Sequence, residues 1–405
     1  MHREKTLDLP ALLPFFVVIF SLLFVTTSSY SVKLPCTAVC IVPVANALGT
    51  PPPHHHQAAY YDTPSMYDDE KPPYRRPAYS RIHQIVFNEL VTVRELKGDQ
   101  AHIELPGVVY ENNVTTALQA TAWVAAETLL CLSPKGNLIQ HIPEPLSTDK
   151  QQFLKSLINT VVLTQPHHDE TTGLTFSLGT RFRHVATHQD SYEVDCFDPA
   201  SKQVATITLP KDVSYKYEPL NPTAQRDLFV RLVTSWAHAP QGFIPYVHGG
   251  TSATEFLTAQ NFRSCTFAGC AGFDWNSTRP RTGLDCSGLI VRAAQIVGIP
   301  FFYKNSITMA RRLKETSSPQ PGDIIWIPGH VMVISSLKPA RLIEARGYPS
   351  GFGLIQEIPL SQVFQGVETF DQLVAGIPHK KPLNRLKKDG AVSEAFTEYK
   401  VLSLV

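Results

Sequence analysis

The stretch TGLDCSGLIVRAAQIVG, residues 282–298, places a cysteine where a glycine-flanked loop turns into a helix. Leu289, Ile290, Ala293, Ala294 and Val297 recur at helical spacing and predict one apolar face, and Gly298 is a natural C-cap. Gly283 lets the chain turn, and Gly288 lets a substrate approach the backbone closely. Asp285, Cys286 and Ser287 therefore fall at the helix N-terminus, where free N–H groups and the helix dipole favour a thiolate and stabilise an oxyanion. A cysteine that serves only to pack belongs further along, on the apolar face. The address predicts a nucleophile.

A nucleophilic cysteine needs a base, usually histidine, oriented by a third polar group. PQPGDIIWIPGHVMVISS, residues 319–336, supplies one: IIWI reads as a buried strand, Pro328-Gly329 as a break, and His330 opens a second strand with Met332 and Ile334 on its face. RLIEARG follows after a KPA turn. A hairpin centred on Leu337 sets His330 opposite Glu344, and the even offset puts both side chains on one face. Glu344 then accepts the Nδ1–H of His330 and, as a carboxylate, favours imidazolium. Taken singly, His330 reads as a loop histidine and Glu344 as a solvated charge; the matched register is what links them.

The rest of the chain supplies context. Its 405 residues allow two or three domains, and 36 basic against 35 acidic residues leave no electrostatic footprint for nucleic acid. MHREKTLDL leads into the apolar run PALLPFFVVIFSLLFV, and Ala45 and Ala47 fit a small-x-small cleavage site. Residues 1–47 are expected to be a secretory signal, or else an uncleaved membrane anchor. Cys36 and Cys40 lack the small preceding residue of a lipidated cysteine. Residues 48–80 read as a proline-rich linker, in which His54–His56 are a polar tract without neighbouring ligands at metal spacing. From residue 81 to 218 short alternating runs such as IVFNELVTVREL, AHIEL, LINTVVLTQ and VATITLP are separated by turn signals. Two small all-β barrels, over 81–147 and 148–218, are the economical expectation. TAQRDLFVRLVTSWAHAP, residues 223–240, predicts an amphipathic helix through Leu228, Leu232 and Trp236. The irregular stretch 253–283, with Cys265 and Cys270, is too long for a passive connection.

PYVHGGTS, DCSGLI, GDIIWIPGHVMVI and LIEA, in this order, resemble the NlpC-type cell-wall cysteine peptidases. ATAWVAAETLL and ATITLPKDVSY resemble the closing segments of bacterial SH3-like domains. The resemblance implies an α+β chain: a papain-like catalytic domain over residues 219–378, two SH3-like barrels before it and a tail over 379–405. It also implies roles by position. Cys286 is the nucleophile, His330 the base and Glu344 the third member. Tyr246 lies near the oxyanion side, Asp285 and Ser287 meet the substrate's amino end, and Ser306 is a pocket serine. His248 in place of the usual tryptophan, and the long stretch 253–283, depart from the pattern and bear on specificity. The implied reaction is hydrolysis of peptidoglycan stem peptides, at the bond between D-glutamate and the diamino acid, by an exported protein of the periplasm or cell envelope. It needs no metal or other cofactor. A thiol-dependent amidase or acyltransferase on the same fold, or an inert wall-binding module, are the alternatives. Loss of residues 1–47 leaves five cysteines, so pairing Cys265 with Cys270 and Cys131 with Cys196 leaves Cys286 free, although sequence does not fix connectivity.

Overall fold

A computed structural model describes residues 33–50, 81–111, 116–133, 136–258, 282–347 and 353–404. The apolar N-terminal run, His54–His56, Cys265 and Cys270 lie outside the described residues. Among the described residues, no helix is long and apolar enough to cross a membrane.

Seven strands build the first sheet: β1 (Cys36–Cys40), β2 (Val44–Leu48), β3 (Arg81–Val86), β4 (Leu90–Lys97), β5 (Gln100–Glu104), β6 (Thr121–Ala125) and β7 (Leu129–Cys131). Their order is β3-β2-β6-β5-β4-β1-β7. The KGDQ turn joins β4 to β5, with Lys97 facing Gln100. β1 and most of β2 arise from the segment that the sequence assigns to a signal or an N-terminal membrane anchor. Ala38, Val39, Cys40 and Ala47 are fully buried, and β1 pairs with both β4 and β7. The ANA triplet is strand: Ala45, Asn46 and Ala47 face Ile85, Gln84 and His83. The expected boundary at residue 47 therefore falls inside this sheet.

The second sheet orders Gln203–Pro210, Ser191–Asp198, Arg181–Thr187, Thr160–Leu163 and Ser214–Lys216 side by side. Neither sheet closes on itself: β3 and β7 stay edges of the first, and Gln203–Pro210 and Ser214–Lys216 edges of the second. The two expected SH3-like barrels are thus open sheets within an α+β fold. The reason is where the apolar faces go. Ala38, Ala47, Ile103 and Val124 share one core with Phe229, Trp236, Leu289 and Val331 of the C-terminal half. A sheet whose face is covered by a neighbouring layer needs no closure to bury it. The second sheet has its own core around Phe176, Phe182, Val194 and Ile207. Alternating sequence looks the same in both architectures.

The C-terminal half begins with α1 (Pro222–Ala237), capped by the Asn221 side chain and burying Phe229, Leu232, Val233 and Trp236. Two further helices, α2 (Cys286–Val297) and α3 (Ser306–Arg312), precede the third sheet. That sheet contains β8 (Ile324–Ile327), β9 (His330–Leu337), β10 (Ala340–Arg346) and β11 (Leu354–Pro359). A ribbon of β12 (Leu383–Leu386) and β13 (Val392–Phe396) follows, and β14 (Lys400–Leu402) completes the sheet in the order β11-β10-β9-β8-β14. Val331, Val333, Ile343 and Ala345 belong to the same core as α1 and α2. Ile325, Met332, Ile334 and Leu342 share a second core with Leu383 and Phe396 of the ribbon. The segment expected as a tail is therefore built into the C-terminal half.

Deleting residues 1–33 should leave the urea midpoint unchanged, since the unit formed by Leu34–Val405 stays whole. Deleting residues 1–47 removes β1 and most of β2, and should lower stability by at least ~3 kcal/mol. Equilibrium unfolding of the two truncated proteins checks both.

Candidate active site

Asp285 caps α2. Its Oδ1 accepts from the Gly288 N–H and from Ser287 Oγ at 2.9 Å, and its Oδ2 accepts from the Gly249 N–H at 2.9 Å. The Lys304 ammonium donates to both carboxylate oxygens at 2.7 Å and to Ser287 Oγ at 2.8 Å. Burial by itself would raise the Asp285 carboxyl, but the adjacent ammonium holds it below the usual carboxylate range. Asp285 and Ser287, expected to meet a substrate amine, are engaged inside the protein by an internal cation.

All twelve residues of α2 are buried, so the expected single apolar face is too narrow a description. Its polar side is turned inward. Arg292 donates from Nε to the Thr251 carbonyl at 2.8 Å, from Nη2 to the Gln84 carbonyl at 3.1 Å and from Nη1 to Gln295 Oε1 at 3.0 Å. Gln84 lies on β3, so the helix is tied directly to the first sheet. Gly288 admits backbone rather than substrate: a Cβ there would strike the Gly250 carbonyl.

Cys286 opens α2 and is 9% exposed. The backbone N–H groups of Val331 and Ser287 donate to its sulfur. Burial nevertheless pushes the thiol up to about 12; the Asp285 carboxylate adds to the rise, and the two N–H groups and Lys304 only partly oppose it. The thiolate expected from the helix-start position is therefore disfavoured in the resting site. Because Val331 follows His330, its contact sets the sulfur beside the start of β9.

His330 Nε2 lies 3.0 Å from Glu344 Oε2. The pairing comes from a register unlike the one expected. Val333 faces Ile343 and Ile334 faces Leu342; a bulge at Ser335 then shifts the ladder, so that Leu337 faces Ala340. Glu344 thus sits beside Met332, one step along the same face from His330. The shift is even, so the face survives. Glu344 is fully buried and ionised, its carboxyl lowered to about 2: burial raises it, but Arg385 and then His330 outweigh that. Arg385 Nη2 donates to Oε2 at 2.6 Å, Gln356 Nε2 to Oε1 at 3.2 Å, and Arg346 Nη1 is 3.7 Å from Oε1. An ionised carboxylate only accepts, so the imidazole proton resides on Nε2, and Nδ1 keeps its lone pair. This reverses the expected use of the two nitrogens. His330 is also pushed down to about 4, by burial and then by Arg385, against the opposing pull of Glu344. The expected imidazolium is therefore disfavoured in the resting state.

The Tyr246 N–H donates to the Gly353 carbonyl at 2.8 Å, and the residue bridges to Leu284, just ahead of Asp285. Ser306 opens α3, two residues beyond Lys304, and makes no hydrogen bond to Cys286 or His330. Buried Glu111 anchors α3: Arg311 Nη1 reaches Oε2 at 2.6 Å, Arg312 Nε reaches Oε1 at 2.8 Å, and the Glu111 N–H donates to Thr308 Oγ1 at 2.8 Å. Sequence reading missed Lys304, Arg385, Arg346 and Gln356. For Arg385 a signal existed, the Asp389-Gly390 turn between LNRL and VSEAF, which announces a hairpin. Among the described residues, no group of three or more His, Cys, Asp or Glu side chains is placed to hold a metal.

A scan against known protein families finds no match for the chain, and neither does a search of curated proteins. Solved structures do match. An NlpC/P60 family protein from Bacillus cereus has a TM-score of 0.51 at 18% identity, covering 80% of this chain and 94% of that one. NlpC2 from Trichomonas vaginalis gives 0.29 at 13% identity, covering 82% and 94%. NlpC1 from the same organism gives 0.30 at 12%, covering 84% and 94%. The two lower scores are too small to establish a common fold. The likeness to the Bacillus cereus protein establishes a shared fold and nothing finer.

Arg385→Met should raise the His330 titration midpoint from about 4 toward the ordinary 6.5. Imidazole NMR titration reads it, and an unchanged midpoint would show that Arg385 has no hold on the ring. The sign for stability follows. A histidine lowered by folding costs nothing above its unfolded value near 6.5 and destabilises increasingly as the pH falls toward 4. The substitution should narrow that acid window.

Proposed function

We propose that the chain is a cysteine hydrolase of peptidoglycan stem peptides, with Cys286 as nucleophile, His330 as general base and Glu344 as the residue that orients it. One observation carries this reading: a carboxylate-fixed imidazole opens the strand whose next N–H grips the sulfur of a helix-start cysteine. The shared NlpC/P60 fold and the order of the DCSG and GHV segments support it. The bond between D-glutamate and the diamino acid is the proposed target, and export to the cell envelope is part of the proposal.

The chemistry follows from the protonation states. Nδ1 of neutral His330 removes the thiol proton as Cys286 Sγ attacks the amide carbonyl. Backbone N–H groups at the start of α2 stabilise the oxyanion, and Glu344 stabilises the transient imidazolium. His330 then protonates the leaving amine, giving a thioester. Water attacks with its proton passing to Nδ1, and the thiol is restored as the acid departs. With the thiol near 12 and the imidazole near 4, no stable ion pair precedes substrate, so proton transfer accompanies attack. Asp285 acts here as a positioning residue, because Lys304 already occupies its carboxylate. Contacts to a substrate amine are assigned elsewhere in the cleft, which Tyr246 and Ser306 are proposed to line.

Cys286→Ala should lower kcat/KM on the tripeptide L-Ala-γ-D-Glu-diamino acid by at least about a thousandfold, with far-UV circular dichroism unchanged. Full activity in the folded variant would refute the nucleophile. Glu344→Gln still accepts the Nε2–H and should retain roughly tenfold more kcat/KM than Glu344→Ala. Mass spectrometry of the products fixes the bond, and cleavage at an amide to sugar instead would identify an amidase.

A further inference from the structure

Cys36 and Cys131 stand outside the proposed catalytic site. β1 and β7 run antiparallel with Ala38 opposite Cys131 and Cys40 opposite Leu129. Cys36 lies two residues before Ala38, so its side chain falls on the same face as Cys131, on the neighbouring diagonal. The two sulfurs are 3.0 Å apart, and both residues are half-buried. The remaining described cysteines are not placed to compete. Cys40 is buried with its sulfur donating to the Val42 carbonyl, and Cys196 is buried in the core of the second sheet, its sulfur facing the Phe197 carbonyl. The expected pairing of Cys131 with Cys196 is therefore replaced by a contact with a residue of the segment assigned to a signal or membrane anchor.

We propose that Cys36 and Cys131 form a disulfide that staples β1 to the edge strand β7. A low-molecular-weight disulfide such as oxidised glutathione supplies the oxidising equivalents. One protein thiol loses its proton and attacks a glutathione sulfur, expelling one glutathione thiolate and leaving a mixed disulfide. The second protein thiol then attacks the protein-bound sulfur, expelling the second. Two protein thiols are oxidised, one small disulfide is reduced, and the two released protons end on the two glutathione thiols. Burial and the neighbouring Cys131 push the Cys36 thiol up to about 12, so exchange is slow near neutrality and quickens in mild alkali. The bond joins positions separated by 95 residues, enclosing β2 to β6 and thereby most of the first sheet. Closing so long a loop restricts the unfolded chain and stabilises the native one. It also retains β1 through folding in an oxidising compartment.

The test uses the full chain, reduced and then incubated with oxidised glutathione at mildly alkaline pH, against a portion kept in reductant. Non-reducing proteolysis and mass spectrometry should find a Cys36–Cys131 linked peptide that disappears on reduction. The oxidised protein should have a higher urea midpoint than the reduced one. Cys36→Ser and Cys131→Ser should each abolish the linked peptide and the midpoint difference. Cys36 and Cys131 recovered as free thiols, as separate glutathione adducts or joined to other cysteines would overturn the proposal. Equal midpoints for oxidised and reduced protein would overturn the staple. If a variant does not fold, the wild-type peptide map decides by itself.

Discussion

The buried ion pair between Asp285 and Lys304 governs the geometry of this protein. Two charges removed from water cost several kcal/mol unless they meet with good geometry and their remaining valences are filled. Here they are filled completely: Asp285 accepts hydrogen bonds from Lys304, Ser287, Gly288 and Gly249. Each bond fixes something. The Gly288 bond starts α2 and so sets the address of Cys286. The Gly249 bond holds the loop that abuts β3, where Arg81 Nη1 donates to the His248 carbonyl at 3.4 Å. Lys304 brings the start of α3, and Asn305 next to it donates to the Glu111 carbonyl at 2.8 Å. The first sheet, the cysteine helix and α3 thus converge on one anion.

A second buried anion organises His330. Glu344 is held by Arg385, Arg346 and Gln356 as well as by His330. A lone carboxylate would have drawn His330 toward imidazolium. Burial, and after it the Arg385 and Arg346 guanidinium groups, reverses that balance, leaving a neutral ring whose tautomer is dictated by the carboxylate. Burial likewise dominates at Cys286, and the Asp285 carboxylate adds to it against the helix dipole. Both partners rest uncharged in a desolvated site.

Local signals were legible in the sequence, and non-local ones were not. The α2 helix could be read from spacing, with its start near Asp285–Ser287 and its stop at Gly298, because all three are properties of neighbouring residues. The shared face of His330 and Glu344 was legible because parity survives any even slip, whereas the register was not, since the bulge at Ser335 has no sequence mark. Sheet closure depends on what covers the sheet, and alternation is blind to that. Cys36–Leu48 looked like the end of a signal because buried strands and cleavage regions both favour small and apolar residues. The charge state of the site turned on burial and on Arg385, placed in a presumed tail, while Lys304, which keeps Asp285 ionised, is distant from Cys286 in sequence.

The central claim, a resting neutral thiol beside a neutral imidazole, is tested most directly by the pH dependence of Cys286 alkylation. Iodoacetamide is applied to the full chain from acid to strong alkali, and the rate at the Cys286 peptide is read by mass spectrometry. The account predicts a slow rate at neutrality that keeps rising far into alkali, without a plateau between the imidazole and thiol midpoints near 4 and 12. A fast rate already level across neutral pH would reveal a preformed thiolate–imidazolium pair and contradict it.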